Sequence, residues 1–243
     1  MTDFCVMTLT GEQAAKFLQG QVTCHVDKLN ADIFQPTAIS NLKGRVDFGL
    51  WLKRIDDMTF EIVLSADCVA DFAQHIKKYG AFSKITLSDA KPIYPVVIEG
   101  VPTFSETDTG YPLTDWQTKS IAQGNYWLTQ PTRGLFQPQE LRLHQRGGVD
   151  YDKGCYLGQE IIARLWFKAS PKAWLHRVTG NGDKPDAGAV LGNSVTVVNA
   201  IAKSDSANAF EALVVARPDD IAAAGLTVLA LPKALQQPIE RQV

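Results

Sequence analysis

The sequence has little excess charge and no long apolar run. It has 24 lysines and arginines and 26 aspartates and glutamates, which gives a net charge of −2. This balance excludes nucleic-acid binding through a broad positively charged surface. No stretch approaches the ~20 apolar residues of a membrane-spanning helix, and the amino terminus lacks a basic segment followed by an apolar one. These absences predict a cytoplasmic protein without membrane attachment.

Metal-binding motifs are also missing. The four cysteines lie far apart without a CxxC pair, and the four histidines show neither HxH nor HExxH spacing. A structural zinc site or an iron–sulfur cluster usually takes about four ligands, with some of them closely spaced. The sequence therefore predicts no metal site.

What remains is the composition of an ordinary folded protein, 45% hydrophobic and 21% charged. Alternating apolar residues over Val46–Leu52 and an extended run over Thr59–Leu64 predict an antiparallel hairpin. Helical spacing over Asp67–Tyr79, followed by a short extended run over Lys84–Leu87, adds a helix and a strand. The pattern is that of an α+β fold.

Other segments give shorter predictions. Residues 10–20 predict a short helix capped by Thr10, and a second short helix is predicted after Pro232. Prolines interrupt residues 91–134, which predict only short strands such as Pro95–Ile98 and Tyr126–Leu128. A small antiparallel sheet or barrel is predicted from four carboxy-terminal runs: Leu175–Val178, Ala189–Leu191, Val195–Val198 and Ala212–Val215.

The segment Gly147–Glu160 is the richest in chemistry. Its glycines allow close approach of the backbone to a ligand, and Gly158 opens a predicted helix with Gln159 and Glu160 in its first turn. A carboxylate can accept two parallel hydrogen bonds from an amino-pyrimidine edge, so Glu160 is a candidate for binding a planar heterocycle. The alternative is that Glu160 favours the helix amino terminus and pairs with Arg164.

Cys155 is a candidate functional thiol. Lys153, two residues earlier, would place a positive charge near its sulfur and increase its reactivity; the alternative is a small buried side chain. A nucleophilic pair with His144 has no supporting local motif. The basic turn Lys43–Arg45 could meet an anionic ligand tail or be a solvated turn.

These residues carry a resemblance to a known family. Lys153–Glu160 reads K-G-C-Y-L-G-Q-E and resembles the K-G-C-Y-x-G-Q-E signature of the YgfZ family of folate-binding proteins, relatives of the aminomethyltransferase (T-protein) of the glycine cleavage system. Further segments that resemble the family, in the same order, are Phe17–Thr23, Lys43–Arg45, Ile121–Gly124 and Phe136–Leu141. The resemblance covers about residues 10–170.

The resemblance implies a three-lobed α+β architecture, aminomethyltransferase-like, around a central opening that holds tetrahydrofolate. Residues 1–48 with 116–166 would form the folate-binding lobe and residues 49–115 an inserted α+β lobe. Residues 167–243 would form a carboxy-terminal lobe, a small antiparallel β-barrel.

The implied function is a tetrahydrofolate-binding accessory factor in the maturation or repair of iron–sulfur enzymes, including those that modify tRNA. Its partners would be a reduced folate and iron–sulfur client or assembly proteins. Carried over by the motif, the catalytic residues would be Cys155 and Lys153, and the folate-binding residues would be Glu160, Gln159, Arg164 and Lys43.

Two alternative functions stay open, a one-carbon transferase and an interaction protein, and departures from related sequence patterns bear on them. The true aminomethyltransferases have K-G-D and R-I-E-A-G where this chain has Lys153–Cys155 and Ser120–Gly124, and the two missing carboxylates argue against a one-carbon transferase. After Arg164, Phe167–Ala173 replaces the F-R-G-x-x-K-R of YgfZ relatives, and lysine cannot copy a bidentate guanidinium. The second rival is an interaction protein whose folate cleft is vestigial.

Overall fold

The computed structural model describes residues 3–203 and 208–239, which form two antiparallel sheets and five α-helices. The strands are β1 (Phe4–Thr10), β2 (Gln35–Ser40), β3 (Val46–Arg54), β4 (Thr59–Ser65), β5 (Thr86–Leu87), β6 (Lys91–Ile98), β7 (Val101–Ser105), β8 (Trp174–Asn181), β9 (Val190–Leu191), β10 (Val195–Ala202), β11 (Ala209–Ala216) and β12 (Thr227–Leu229). The helices are α1 (Ala14–Gln19), α2 (Val69–Tyr79), α3 (Leu113–Ala122), α4 (Gln159–Lys168) and α5 (Pro218–Ala223).

The first sheet has the order β2-β3-β4-β1-β6-β7, with β5 paired to the end of β1. Because successive side chains of a strand point to opposite faces, Phe4 and Val6 of β1 enter one core while Met7 and Leu9 enter another. The central strands are therefore buried on both faces, which explains their nearly continuous apolar sequence.

Helices cover both faces of this sheet. Phe17 of α1 and Phe72 of α2 pack on the face that carries Met7. On the opposite face, Trp116 of α3 lies 5.1 Å from Phe4 between ring centroids, in an edge-to-face contact.

The second sheet has the order β12-β8-β11-β10-β9. One of its faces forms a small core of its own around Val178, Val197 and Val214, beneath α5. Other side chains, such as Val198 and Leu213, join the core of the first sheet. The two sheets thus share one hydrophobic interior.

The structure confirms the mixed α and β character and several elements predicted from periodicity. The hairpin appears as β3 and β4, and α2 begins at Val69, two residues later than expected. The predicted strand Lys84–Leu87 shortens to β5. The predicted carboxy-terminal helix is a single 3-10 turn, Lys233–Leu235.

Thr10 is not a helix cap, contrary to expectation. It is the last residue of β1, where it pairs with Thr59 and Thr86, and α1 begins at Ala14 after Gln13. The pairing of β1 across three strands takes precedence over the local capping pattern.

Tyr126–Leu128 is buried but is not a strand. The backbone N–H and C=O of Trp127 bond to the side-chain amide of Asn199, at 3.0 Å and 2.8 Å. The Asn199 side chain makes the hydrogen bonds that a neighbouring strand would make. The segment therefore has the sequence pattern of a strand but does not belong to a sheet.

The lobe boundaries stay a prediction. β3 runs across the expected boundary between residues 48 and 49. In the strand order of the second sheet, β12 and β9 are the two edge strands. Among residues 3–203 and 208–239, none of the helices combines the length and the apolar character needed to cross a bilayer.

Candidate functional site

The glycine-rich loop 147–158 is held against residues 20–24 near the amino terminus. The ammonium group of Lys153 donates to the carbonyls of Val22 and Cys24, at 2.6 Å and 2.7 Å. Thr23 Oγ1 donates to the carbonyl of Gly148 at 2.6 Å. Charge-assisted bonds of this kind are stronger than neutral ones, so Lys153 fixes the path of the loop.

Lys153 is almost fully buried, with 5% of its surface exposed. Burial lowers its pKa to about 8, and its Nζ lies 4.9 Å from the ring centroid of Tyr156. The Lys153 charge acts on the thiol of Cys24. Burial raises the pKa of this thiol, while a hydrogen bond from Thr37 and the Lys153 charge lower it and partly offset the effect of burial. The structure therefore directs the ammonium group toward residues 22–24.

Cys155 is the exposed member of four free cysteines; Cys24 and Cys68 are buried and Cys5 is half-buried. Its thiol forms no hydrogen bond with any residue in the described part of the chain. Both ring nitrogens of His144 are buried without a partner there, and burial lowers the pKa of this histidine to about 4. No hydrogen bond joins His144 to Cys155, and Cys155 is exposed to solvent.

Two glycines bring the basic turn 43–45 against the start of α4. Gly158 has a φ of 80°, and a Cβ there would lie 2.4 Å from the carbonyl oxygen of Asn41. A Cβ on Gly44 would lie 2.9 Å from the Cβ of Ile161. Lys43 sits on this turn, exposed, with its backbone N–H bonded to Asn41 Oδ1 at 3.0 Å.

The inner face of α4 is anchored by packing. Trp166 stacks on Tyr151, with ring centroids 4.4 Å apart and planes within 6°. Ile162 is fully buried, and its carbonyl accepts a hydrogen bond from Gln139 Nε2 at 2.8 Å. These contacts hold the outer face of the helix in a fixed direction.

That outer face lines an open cleft of about 580 Å³, called the α4 cleft below. Glu160 lies at one end in the first helical turn, and its carboxylate has no ion pair or hydrogen bond within the described residues. The alternative pairing of Glu160 with Arg164 is therefore absent from the structure. The other residues that line the cleft are Ala163, Arg164, Phe167 and Lys168.

The structure thus groups some of the predicted site residues. Glu160 and Arg164 share the α4 cleft, and Gln159 lies beside Glu160 on the same helix. Lys43, Lys153 and Cys155 lie on neighbouring segments and do not line this cleft. The catalytic and folate-binding roles of these six residues stay predictions.

Phe167 and Lys168 are cleft residues that the motif did not single out. They follow Glu160 by seven and eight positions, a spacing that places residues on one face of a helix. Helical periodicity counted from Glu160 would have found them.

The described part of the chain brings together no group of three or more histidine, cysteine, aspartate or glutamate side chains able to hold a metal ion.

The fold is that of an aminomethyltransferase. The crystal structure of glycine cleavage system aminomethyltransferase T from Bartonella henselae matches with a TM-score of 0.64, covering 88% of this chain and 76% of that one, at 12% sequence identity. At this identity the likeness concerns the fold alone.

Sequence comparison gives a more particular relationship. The chain is similar to tRNA-modifying protein YgfZ of Colwellia psychrerythraea, 26% identical over 233 residues that cover 76% of this chain and 72% of that protein. It is 28% identical over 240 residues to tRNA-modifying protein YgfZ of Escherichia coli O157:H7, covering 77% and 73%. No family model matches the chain. These relatives confirm the resemblance to YgfZ proteins that the K-G-C-Y-L-G-Q-E signature indicates.

Proposed function

We propose that this protein is a tetrahydrofolate-binding accessory factor that supports iron–sulfur enzymes, including enzymes that modify tRNA. The relatives named tRNA-modifying protein YgfZ and the aminomethyltransferase fold support this assignment. The observation that carries it is the unpaired Glu160 carboxylate at one end of the α4 cleft.

The lining of the α4 cleft fits the parts of a reduced folate. Glu160 offers two acceptor oxygens to the amino-pyrimidine edge of the pterin. Phe167, 47% exposed, offers a ring for the aromatic portion of the ligand. Arg164 and Lys168 supply positive charge for the glutamate carboxylates. The volume of about 580 Å³ lies in the range of small-molecule sites.

Four residues of the chain have a role in the proposed mechanism. A bound reduced folate supplies a carrier for one-carbon groups. Glu160 and Gln159 orient the pterin, while Lys153 holds the loop that presents Cys155 to solvent. Cys155 is the thiol proposed to act on a client protein.

The finer architecture belongs to the same proposal. We assign residues 1–48 with 116–166 to the folate-binding lobe, 49–115 to an inserted lobe and 167–243 to a carboxy-terminal barrel. Iron–sulfur client or assembly proteins are the proposed partners, and the cytoplasm is the proposed compartment.

Calorimetric titration with tetrahydrofolate and its 5-formyl and 5,10-methylene forms tests the proposal. Glu160→Gln keeps the shape of the side chain and removes its charge, so we expect affinity to fall roughly tenfold or more. Glu106→Gln, at an exposed glutamate away from the α4 cleft, is the matched control and should bind like the parent.

The same titration separates the rivals. Equal affinity in the Glu160→Gln variant would remove Glu160 from the site. Turnover of the 5,10-methylene form would favour a one-carbon transferase. Failure to bind any of the three folates would favour an interaction protein with a vestigial cleft.

A further inference from the structure

A second cleft, of about 420 Å³, lies where β1 begins and β4 ends, and it shares no lining residue with the α4 cleft. The strand register pairs Phe4 with Ser65, and the N–H of Ala66 donates to the carbonyl of Asp3 at 2.9 Å. This pairing brings Asp3 and Asp67, far apart in sequence, to the same rim. We call it the β1–β4 cleft.

The lining of the β1–β4 cleft is acidic. It contains the carboxylates of Asp3 and Asp67, and among the residues that the structure describes no lysine, arginine or histidine lines it. One oxygen of Asp67 accepts the backbone N–H of Gln130 at 2.9 Å, which holds this carboxylate in place. Two carboxylates without a basic neighbour in the lining favour a positively charged occupant.

A buried hydroxyl points independently to a missing partner. Ser65 lines the cleft and is 3% exposed, and its Oγ has no hydrogen-bond partner in the described part of the chain. Leaving a buried polar group unpaired costs free energy, and such groups are rare in folded proteins. A ligand that donates hydrogen bonds would satisfy this oxygen.

The remainder of the lining is aromatic or amide. Phe4 and Trp127 are buried and offer ring surfaces to the cleft, and Gln117 of α3 adds an amide. Aromatic rings pack against apolar groups, and an indole also attracts a nearby cation. The cleft therefore joins an apolar surface to a rim of hydrogen-bond acceptors.

We propose that the β1–β4 cleft binds a small organic cation, a primary ammonium attached to an apolar group. The three N–H donors of an ammonium group match the acceptors of Asp3, Asp67 and Ser65. The apolar group packs against Phe4 and Trp127. This site is separate from the proposed folate site and does not depend on it.

Three probes of similar shape and different charge test the proposal: benzylamine, benzyl alcohol and benzoate. Ligand-observed NMR titration of the full chain should show saturable binding of benzylamine, with the neutral and anionic probes weaker by roughly tenfold or more. Equal binding of benzyl alcohol, or no saturation by benzylamine up to about 10 mM, would overturn the proposal.

Two variants locate the binding. Asp67→Asn keeps an acceptor for the Gln130 N–H and removes the charge, so benzylamine should bind several-fold to tenfold more weakly. Ser65→Ala removes an unpaired hydroxyl, so the ligand-free protein should melt no lower than the parent while benzylamine affinity falls.

Asp32→Asn changes the charge equally at an exposed aspartate outside the β1–β4 cleft and should leave benzylamine affinity unchanged. Parent-like affinity in both Asp67→Asn and Ser65→Ala would place any observed binding elsewhere and refute the assignment.

Discussion

Lys153 and Cys155 are two positions apart but have opposite surroundings. The Lys153 ammonium is buried against the carbonyls of Val22 and Cys24, whereas the Cys155 thiol is exposed. The two side chains therefore contribute differently: Lys153 to the position of the loop, and Cys155 to what the loop can react with. Separate substitutions should separate these contributions.

Cys155→Ala should leave the fold intact, because an exposed side chain without a hydrogen bond adds little to stability. We expect an unchanged melting temperature and folate affinity within about threefold of the parent, a difference of ~0.6 kcal/mol. We also expect the variant to fail to restore iron–sulfur enzyme activity in cells that lack the native protein.

Cys24→Ala is the control for Cys155→Ala, because truncating this buried thiol should lower the melting temperature by leaving a small cavity. Full complementation by Cys155→Ala would remove this thiol from the functional site.

The buried Lys153 makes stability depend on pH. Its pKa in the folded protein is about 8, below the ordinary value of 10.5, so the unfolded chain binds the proton more tightly. The free energy of unfolding should therefore rise with pH as the solution passes through 8 toward 10. Lys153→Met lacks this group, and its stability should rise less over the same range.

Denaturant titrations of the parent and of Lys153→Met between pH 7 and about 9.5 measure this difference in slope. The comparison cancels the titrating groups that do not interact with Lys153; Cys24 does interact with it, and its pKa is raised by burial. Parallel curves would show that Lys153 titrates alike in the folded and unfolded chain.

Among the elements, α4 depends on a close contact with the turn 43–45. Gly158→Ala should destabilise the protein, because a side chain costs about 1–2 kcal/mol in the left-handed conformation and would also strike the Asn41 carbonyl. Folate affinity should fall with it, since the start of α4 carries Glu160.

Gly154→Ala is the matched control for Gly158→Ala in the same loop, because a Cβ at Gly154 meets no atom within 4 Å. Thermal melting and folate titration of both variants give the comparison. Equal stability of the two variants would contradict the close contact between α4 and the turn.

Elements with one clear periodicity could be predicted from sequence. β3, β4 and α2 appear close to their expected bounds because alternating or helical apolar spacing marks them directly. No clear periodicity marks β2, and its Pro36 is tolerated because β2 is an edge strand. α3 was missed because the surrounding prolines and glycines hide its short apolar stripe.

The candidate site was predictable only in part. The signature selects Glu160, and Arg164 follows at a helical spacing that places both on one face. The partners of Lys153 could not be predicted, because Val22 lies 131 residues away and no local pattern links the two segments. Nor could the sequence show that Asn199 takes the place of a strand beside Trp127.

At the scale of the whole molecule, the two sheets are joined by a hydrophobic interior and a polar bridge. Val198 and Leu213 of the second sheet lie in the core of the first, and the Asn199 amide binds the buried backbone of Trp127. Removing the second sheet would leave that N–H and C=O unpaired. The second sheet therefore contributes to the stability of the part of the molecule that holds the α4 cleft.

The bond between Lys153 and Val22 also has a consequence for how the molecule is made. A contact between residues 131 positions apart closes a long loop. The chain loses the conformational entropy of closing this loop before the contact can stabilise the fold. During synthesis the amino-terminal strands can pair early, but the carbonyls of Val22 and Cys24 lack the Lys153 ammonium group until the glycine-rich loop has left the ribosome. The proposed folate site can therefore form only after the loop and α4 have been made, and a chain interrupted before residue 153 would lack it entirely.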